Sequence, residues 1–293
     1  TRGGPIQPFL DHVEALRLEC REIDNGRIYN HGFYRTKGAE NQIYAAAKKE
    51  AFAYADVPQK DGVLNLSDIK RTSKPVIKGS SASVWDIGDG VLCYELHSKL
   101  GFVDGSTLNV LNDAIKTIGD GKGQYKALVL HNEDKRAFAS GANLGLALSF
   151  RETAQYDAVE LMVRGGQKVL RALHEAPFPS VAAVHGFALG GGLEMAMPCS
   201  TRVVAPETYA GLVEPGVGEH AGWNGNIRHM EWQREFNKMA KGPFALMAQA
   251  FTSLSAPIPS NSAVDAKKKL WLHPDDKIIP NPERLLFEAK QEA

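Results

Sequence analysis

Residues 185–197 read His185-Gly186-Phe187-Ala188-Leu189-Gly190-Gly191-Gly192-Leu193-Glu194-Met195-Ala196-Met197. The apolar run from Ser180 to Val184 predicts a buried strand that feeds Gly186 and then the triple glycine. Glycines at a helix start expose backbone N–H groups that no side chain shields. The run reads as tight helix–strand packing, as a phosphate cradle or as an oxyanion hole. The pattern GxxxxGK[ST] is absent, which excludes a P-loop. Glu194 then lies one turn inside a helix otherwise made of Leu193, Met195, Ala196 and Met197. A buried carboxylate is costly unless it is paired or used. The structural alternative is an ion pair with an arginine such as Arg202.

Two further segments carry the same signature. Ala137-Phe138-Ala139-Ser140-Gly141-Ala142-Asn143-Leu144 is a small-residue turn between an apolar strand and a helix. Gly211-Leu212-Val213-Glu214-Pro215-Gly216-Val217-Gly218 sets a second carboxylate beside another glycine-rich loop. Alone, Glu214 reads as a surface carboxylate at a strand end. Two glutamates on two glycine-rich turns point to chemistry, because carboxylates sharing one water divide base and acid work when repulsion splits their pKa values.

Outward from these segments, Val91–Leu96 and Ala127–Leu130 read as strands and Asp104–Gly119 as a helix, with Asp104 or Ser106 as N-cap. A long helical stretch from about Thr153 to His174 is stopped by Pro177 and Pro179. Strands are expected at Arg202–Ala205 and Tyr209–Val213, and helices from about Asn224 onward. Strand–helix alternation predicts an α/β layer with a helical C-terminal part. Residues 1–60 carry helical pieces, Phe9–Arg21 and Gln42–Tyr54. The Pro, Gly, Ser and Lys content of residues 56–83 places a linker at 61–83, with the main domain at 84–293. Deleting residues 1–78 is expected to leave the site assembled.

The three segments together resemble the crotonase, or enoyl-CoA hydratase, superfamily. FASGAN resembles its F-[SA]-A-G-A-D turn, ALGGGLEMAM its A-L-G-G-G-x-E-L-A-x helix start, and GLVEPGVG its second-glutamate loop. The resemblance covers residues 85–235. It implies a ClpP/crotonase-like fold of repeated ββα units and reversible hydration of a trans-2-enoyl-CoA to a 3-hydroxyacyl-CoA in fatty-acid β-oxidation. Glu194 and Glu214 would then be the acid/base pair, and the N–H groups of Ala142 and Gly191 the oxyanion hole. Lys99, Leu100, Ala139, Gly141, Asn143, Leu144 and Gly222 would contact the substrate. No metal or redox cofactor is implied, since CoA arrives as part of the substrate.

The chain departs from the family pattern in several places. Asn143 stands where the family has Asp, and Gly101 where an Asn is common. The usual P-G-x-G-G is replaced by Ala221-Gly222-Trp223-Asn224-Gly225, preceded by Glu219-His220, with Gly222 as the residue whose N–H would help hold the water. A wider resemblance is to the hydratase part of fused bacterial proteins that also carry a 3-hydroxyacyl-CoA dehydrogenase. HGFYRTKGAENQIY resembles the tail of that dehydrogenase part, and the initial Thr1 fits an excised chain. GxGxxG is absent, so no dehydrogenase activity is expected. Crotonase relatives are usually trimers or hexamers, which makes a homo-oligomer one expectation and a thiolase or dehydrogenase of β-oxidation a candidate partner. Two rivals stay open: an enoyl-CoA isomerase of the same fold, and an acyl-CoA-binding scaffold without turnover.

Composition agrees with a globular protein and narrows the alternatives. Of 293 residues, 43% are hydrophobic and 23% charged, an ordinary globular balance. Lys+Arg and Asp+Glu both number 34, so no net charge favours nucleic acid or an anionic membrane. No apolar run reaches the roughly 18 residues of a membrane span, and a cytoplasmic location is expected. Cys20, Cys93 and Cys199 form no CxxC pair and are expected to be reduced thiols. The histidines contain no HExxH, and His185 is expected to be a satisfied buried residue. Ser140 lies outside any GxSxG elbow. Lys267, Lys268 and Lys269 read as a solvated helix face or as contacts to CoA phosphates, and Trp223 and Trp232 as core or as acyl-tunnel lining.

Overall fold

A computed structural model describes residues 34–37, 40–45, 53–57, 60–119, 123–236 and 242–293. They belong to two units, Thr1–Asp61 with Ser67–Thr72, and Gly62–Leu66 with Ser73–Ala293.

In the first unit β1 (Tyr34–Lys37), β2 (Glu40–Ala45) and β3 (Ala53–Asp56) form an antiparallel sheet with β2 in the centre. Ile43 pairs with Tyr34 on one side and Ala55 on the other. The helix expected over Gln42–Tyr54 is therefore not formed, and the helical reading of residues 1–60 fails wherever the chain is described. The alanines of that stretch favour helix locally, but pairing with two flanking strands overrides the propensity. The helix expected at Phe9–Arg21 lies outside the described residues.

The expected linker is also structured. It contains α1 (Leu66–Thr72), β4 (Ile77–Lys78) and the start of β5 (Ala82–Asp86). Gly79, Ser80 and Ser81 make the turn of an antiparallel pair, in which Gly79 N–H donates to Ala82 O at 2.9 Å. The main sheet thus begins at Ile77, upstream of residue 84, and a cut near Ser81 would remove an edge strand.

From there the order is β6 (Val91–Leu96), β7 (Phe102–Val103), α2 (Gly105–Gly119), β8 (Ala127–Asn132), β9 (Ala137–Ala139), β10 (Gly141–Ala142), α3 (Leu144–Glu152) and α4 (Tyr156–His174). Next come β11 (Ser180–Leu189), α5 (Gly191–Ala196), β12 (Thr201–Gly211), α6 (Gly225–Phe236), α7 (Pro243–Ser255), α8 (Ala263–Lys268), β13 (Lys277–Ile278) and α9 (Leu285–Glu292). The main sheet runs β13-β12-β11-β8-β6-β5-β4, with β9 beside β11. From β6 to β13 neighbouring strands are parallel, while β4, β5 and β6 are antiparallel.

Parallel strands covered on both faces read as continuous apolar runs, and every residue of β6 is buried. Leu92, Tyr94, Leu111, Leu128, Leu130 and Leu170 are fully buried, each contributing about 1.5–3 kcal/mol. Asp104 caps α2 reciprocally, accepting from Thr107 N–H while its own N–H donates to Thr107 Oγ1.

The two strands expected at Arg202–Ala205 and Tyr209–Val213 are one, β12. Val184 pairs with Val204 but Gly186 with Thr208, so β12 bulges around Pro206, which has no N–H for the ladder. Gly186 is fixed on the opposing strand by sterics. Its φ is +56°, and a Cβ there would lie 2.1 Å from Arg136 O. Beyond this bend β11 continues to Leu189 and delivers the chain to α5.

Candidate active site

Gly190 makes the turn from β11 into α5. Its φ is +52°, and its N–H donates to Gly211 O at 2.9 Å, tying the turn to the end of β12. Gly191 is the first residue of α5, so its N–H has no acceptor in the helix's own ladder. Gly141, with φ +93°, brings the second turn alongside: a Cβ there would lie 3.0 Å from Leu189 O and 3.4 Å from Gly191 N. Ala142 and Gly191 therefore lie on two turns in close approach, and both line one cavity of about 570 Å³.

Glu194 projects from α5 and is 2% exposed. Its Oε1 accepts three backbone N–H groups, from Trp223 at 3.0 Å, Asn224 at 2.8 Å and Gly225 at 2.7 Å. These belong to the loop that departs from the family pattern and to the first residue of α6. Asn224 Nδ2 also donates to Glu194 O at 2.9 Å. The alternative partner, Arg202, is engaged elsewhere: its Nε lies 2.7 Å from Asp276 Oδ1, with both side chains buried.

Glu214 opens a 3-10 turn, Glu214–Val217, after β12. A Cβ on Gly190 would lie 2.9 Å from Glu214 Oε1, so glycine is needed there to admit the carboxylate. Its Oε2 is buried and has no hydrogen-bond partner among the described residues. Burial pushes the Glu214 carboxyl up to about 7, and the charges of Glu194 and Glu219 add to the rise. Burial also raises Glu194, against the three backbone donors, which favour its carboxylate. Because those donors occupy Oε1, any proton on Glu194 sits on Oε2.

Of the residues expected at the site, Gly141, Ala142, Leu144, Gly191, Glu194, Glu214 and Gly222 line this cavity. Lys99, Leu100, Ala139 and Asn143 are not among the lining residues. Lys99 is exposed, and Leu100 occupies a short 3-10 turn at φ +56°. Ala139 is fully buried, its carbonyl facing Gly192. Asn143 caps α3 by accepting from Leu146 N–H. Asn143 and Ala139 thus hold the shape of the turn, while Leu144 reaches the space it encloses.

Several lining residues were not anticipated. Val159, Met162, Val163 and Gln167 face the cavity from α4, which is remote in sequence from both glutamates. Gln167 Nε2 donates to Gly222 O at 2.7 Å and holds the loop. Trp223 lines the cavity, whereas Trp232 packs in the core near Arg202. His185 Nε2 meets Asp134 O at 2.8 Å, but its buried Nδ1 has no partner among the described residues. Lys267 and Lys269 donate to the carbonyls of Pro274 and Pro259 and border a separate cavity beside α7 and α8. Cys93 and Cys199 are both buried, and Cys20 lies outside the described residues. Among the described residues no helix is long and apolar enough to cross a membrane, and no three His, Cys, Asp or Glu side chains are grouped to hold a metal.

Residues 102–235 match the enoyl-CoA hydratase/isomerase family. An enoyl-CoA hydratase from Bacillus anthracis shares the fold, with a TM-score of 0.59 and 21% identity over 73% of this chain and 74% of that one. Residues 102–235 thus form a domain of the enoyl-CoA hydratase/isomerase family, and the fold is the crotonase fold. A probable 3-hydroxyacyl-CoA dehydrogenase of Bacillus subtilis (strain 168) is 31% identical over 240 residues, covering 81% of this chain but 29% of that protein. A crotonyl-CoA hydratase of Syntrophomonas wolfei is 34% identical over 124 residues, 42% of this chain and 45% of that one. The chain thus spans less than half the length of these relatives. The Bacillus subtilis match extends well beyond residues 102–235, in keeping with the resemblance to fused enzymes.

Proposed function

We propose that this domain hydrates trans-2-enoyl-CoA thioesters reversibly to 3-hydroxyacyl-CoA. The observation that carries this reading is the convergence of Glu194, Glu214, Ala142 and Gly191 on one cavity. The thioester oxygen is received by the N–H groups of Ala142 and Gly191, which stabilise the negative charge that develops on it. Glu194, held by three donors that favour its carboxylate, takes a proton from water on Oε2 as the oxygen attacks the β-carbon. Glu214, raised to about 7, gives its proton to the α-carbon. One water is consumed, and the two carboxyl groups exchange protonation states. Gln167, through Gly222, positions the loop beside the attacking water.

The reaction needs no metal or redox group in this reading. The proposed setting is fatty-acid β-oxidation in the cytoplasm, with a dehydrogenase as the proposed partner; relatives named as a 3-hydroxyacyl-CoA dehydrogenase and a crotonyl-CoA hydratase favour the reaction type and the partner. Loss of the conjugated enoyl-thioester absorbance on mixing with trans-2-butenoyl-CoA tests the proposal. Gain of that absorbance from a 3-enoyl-CoA, without hydration of the 2-enoyl isomer, would make the domain an isomerase. Tight binding without either change would make it a scaffold.

A further inference from the structure

The loop Ala221-Gly222-Trp223-Asn224-Gly225 carries one large side chain among small ones, and two distant glycines are shaped to receive it. Gly166 sits inside α4, where glycine is a poorer helix former than alanine. A Cβ there would lie 2.2 Å from Trp223 Nε1, whereas a Cβ on neighbouring Gly165 would meet nothing within 4 Å. At the other edge of the indole, a Cβ on Gly191 would lie 2.7 Å from Trp223 Cζ3. The ring therefore bridges α4 and the first residue of α5. It is 9% exposed, and its backbone N–H is anchored on Glu194 Oε1. Held at three points, the indole is a rigid part of the cavity wall, beside Val159, Met162 and Val163.

The location of this wall bears on the substrate. In the proposed reaction Glu194 delivers water to the β-carbon, and the rest of the acyl chain is bonded to that same carbon. The tail thus begins at Glu194, where the main chain of Trp223 is tied. We infer that Trp223, seated by Gly166 and Gly191, sets the upper limit on acyl length and restricts the site to short-chain 2-enoyl thioesters. This inference rests on the reading of the cavity as a 2-enoyl-CoA site.

The test compares the full chain with Trp223→Ala and Trp223→Phe on trans-2-butenoyl-CoA and trans-2-decenoyl-CoA. Binding of butyryl-CoA and decanoyl-CoA is measured by calorimetry in parallel. The wild-type chain is expected to favour the butenoyl ester in kcat/KM. Trp223→Ala should move the ratio toward the decenoyl ester by about tenfold or more, the scale of a methylene-sized mismatch in an apolar pocket. Trp223→Phe should move it less in the same direction. Gly166→Ala should lower the thermal midpoint in the wild-type background and be harmless with Trp223→Ala, a coupling that identifies the indole as what Gly166 accommodates. An unchanged ratio in folded Trp223→Ala and Trp223→Phe would overturn the inference. If no enoyl-CoA is turned over by the wild-type chain, the hydratase reading fails. The calorimetric preference for butyryl over decanoyl, and its loss in Trp223→Ala, then still decides whether Trp223 is the wall.

Discussion

Glu194 Oε1 lies 2.7 Å from the backbone N–H of Gly225, the first residue of α6. This bond, with those from Trp223 and Asn224, makes one carboxylate oxygen the acceptor for a whole turn of chain. The loop that replaces the usual P-G-x-G-G therefore still wraps the first glutamate, and α6 points its positive end at it.

Glu194→Gln keeps an oxygen for these donors and removes only the acid/base function. Hydration should fall by at least about 100-fold, with CoA-ester affinity and thermal midpoint near those of the wild type. Glu194→Ala should also lower stability by about 2 kcal/mol or more, because buried N–H groups lose their acceptor. Paired kinetics and melting curves on the two variants check both effects, and near-normal turnover by Glu194→Gln would remove this residue from the mechanism.

Glu214 should govern the alkaline side of the pH profile. As the acid it must be protonated, so kcat/KM for hydration should fall as pH rises through about 7. Its folded value exceeds the ordinary 4.5, so the folded state binds the proton more tightly and stability declines as pH rises from about 4.5 to about 7. Glu214→Gln removes that cost. The variant should lose at least about 100-fold in hydration yet gain about 1–3 kcal/mol of stability at pH 8, at about 1.4 kcal/mol per pKa unit. A flat pH profile, or a Glu214→Gln chain less stable than wild type at that pH, contradicts this account.

Gly191 and Gly192 should fail in different ways. Since the family resemblance implies the oxyanion donor at Gly191, changing Gly192 would be the milder control. The structure removes that control, because a Cβ on Gly192 would lie 2.0 Å from Ala139 O, a backbone atom that cannot yield. Gly192→Ala should therefore lower the thermal midpoint. Gly191→Ala meets a side chain, the Trp223 ring, and should cost turnover more than stability. Urea melts and single-turnover rates on both variants separate the two effects.

The Arg202–Asp276 pair joins β12 to the segment before β13, and the guanidinium also donates to Met197 O and Cys199 O. Asp276→Ala would leave a buried cation uncompensated and should cost about 3–5 kcal/mol. The urea midpoint measures it. A loss well under that size would mean that the two carbonyls and solvent are enough for Arg202.

The segments that carry the proposed chemistry stood out in the sequence because their signals are local. A glycine run at a strand–helix junction and a carboxylate among apolar residues are unusual wherever they occur, and their cost points to use. The α/β class followed from strand–helix alternation for the same reason. What surrounds those segments depended on partners far along the chain. β1, β2, β4 and β5 are strands because other strands pair with them, and the linker-like composition of residues 61–83 gave no sign of it. β12 runs unbroken past Pro206 because it bulges against β11. Gln167 and Met162 line the cavity, and Gly166 abuts the Trp223 ring, because α4 packs there. The sequence by itself determined on which residues the proposed acid–base and oxyanion roles fall. Only the tertiary structure decided that Glu194 takes its hydrogen bonds from the 223–225 loop and not an arginine, that Lys99 and Asn143 lie off the cavity lining, and that Trp223 forms its wall. Each of these depends on which segments, dozens of residues apart, come together, and local pattern does not encode such distances.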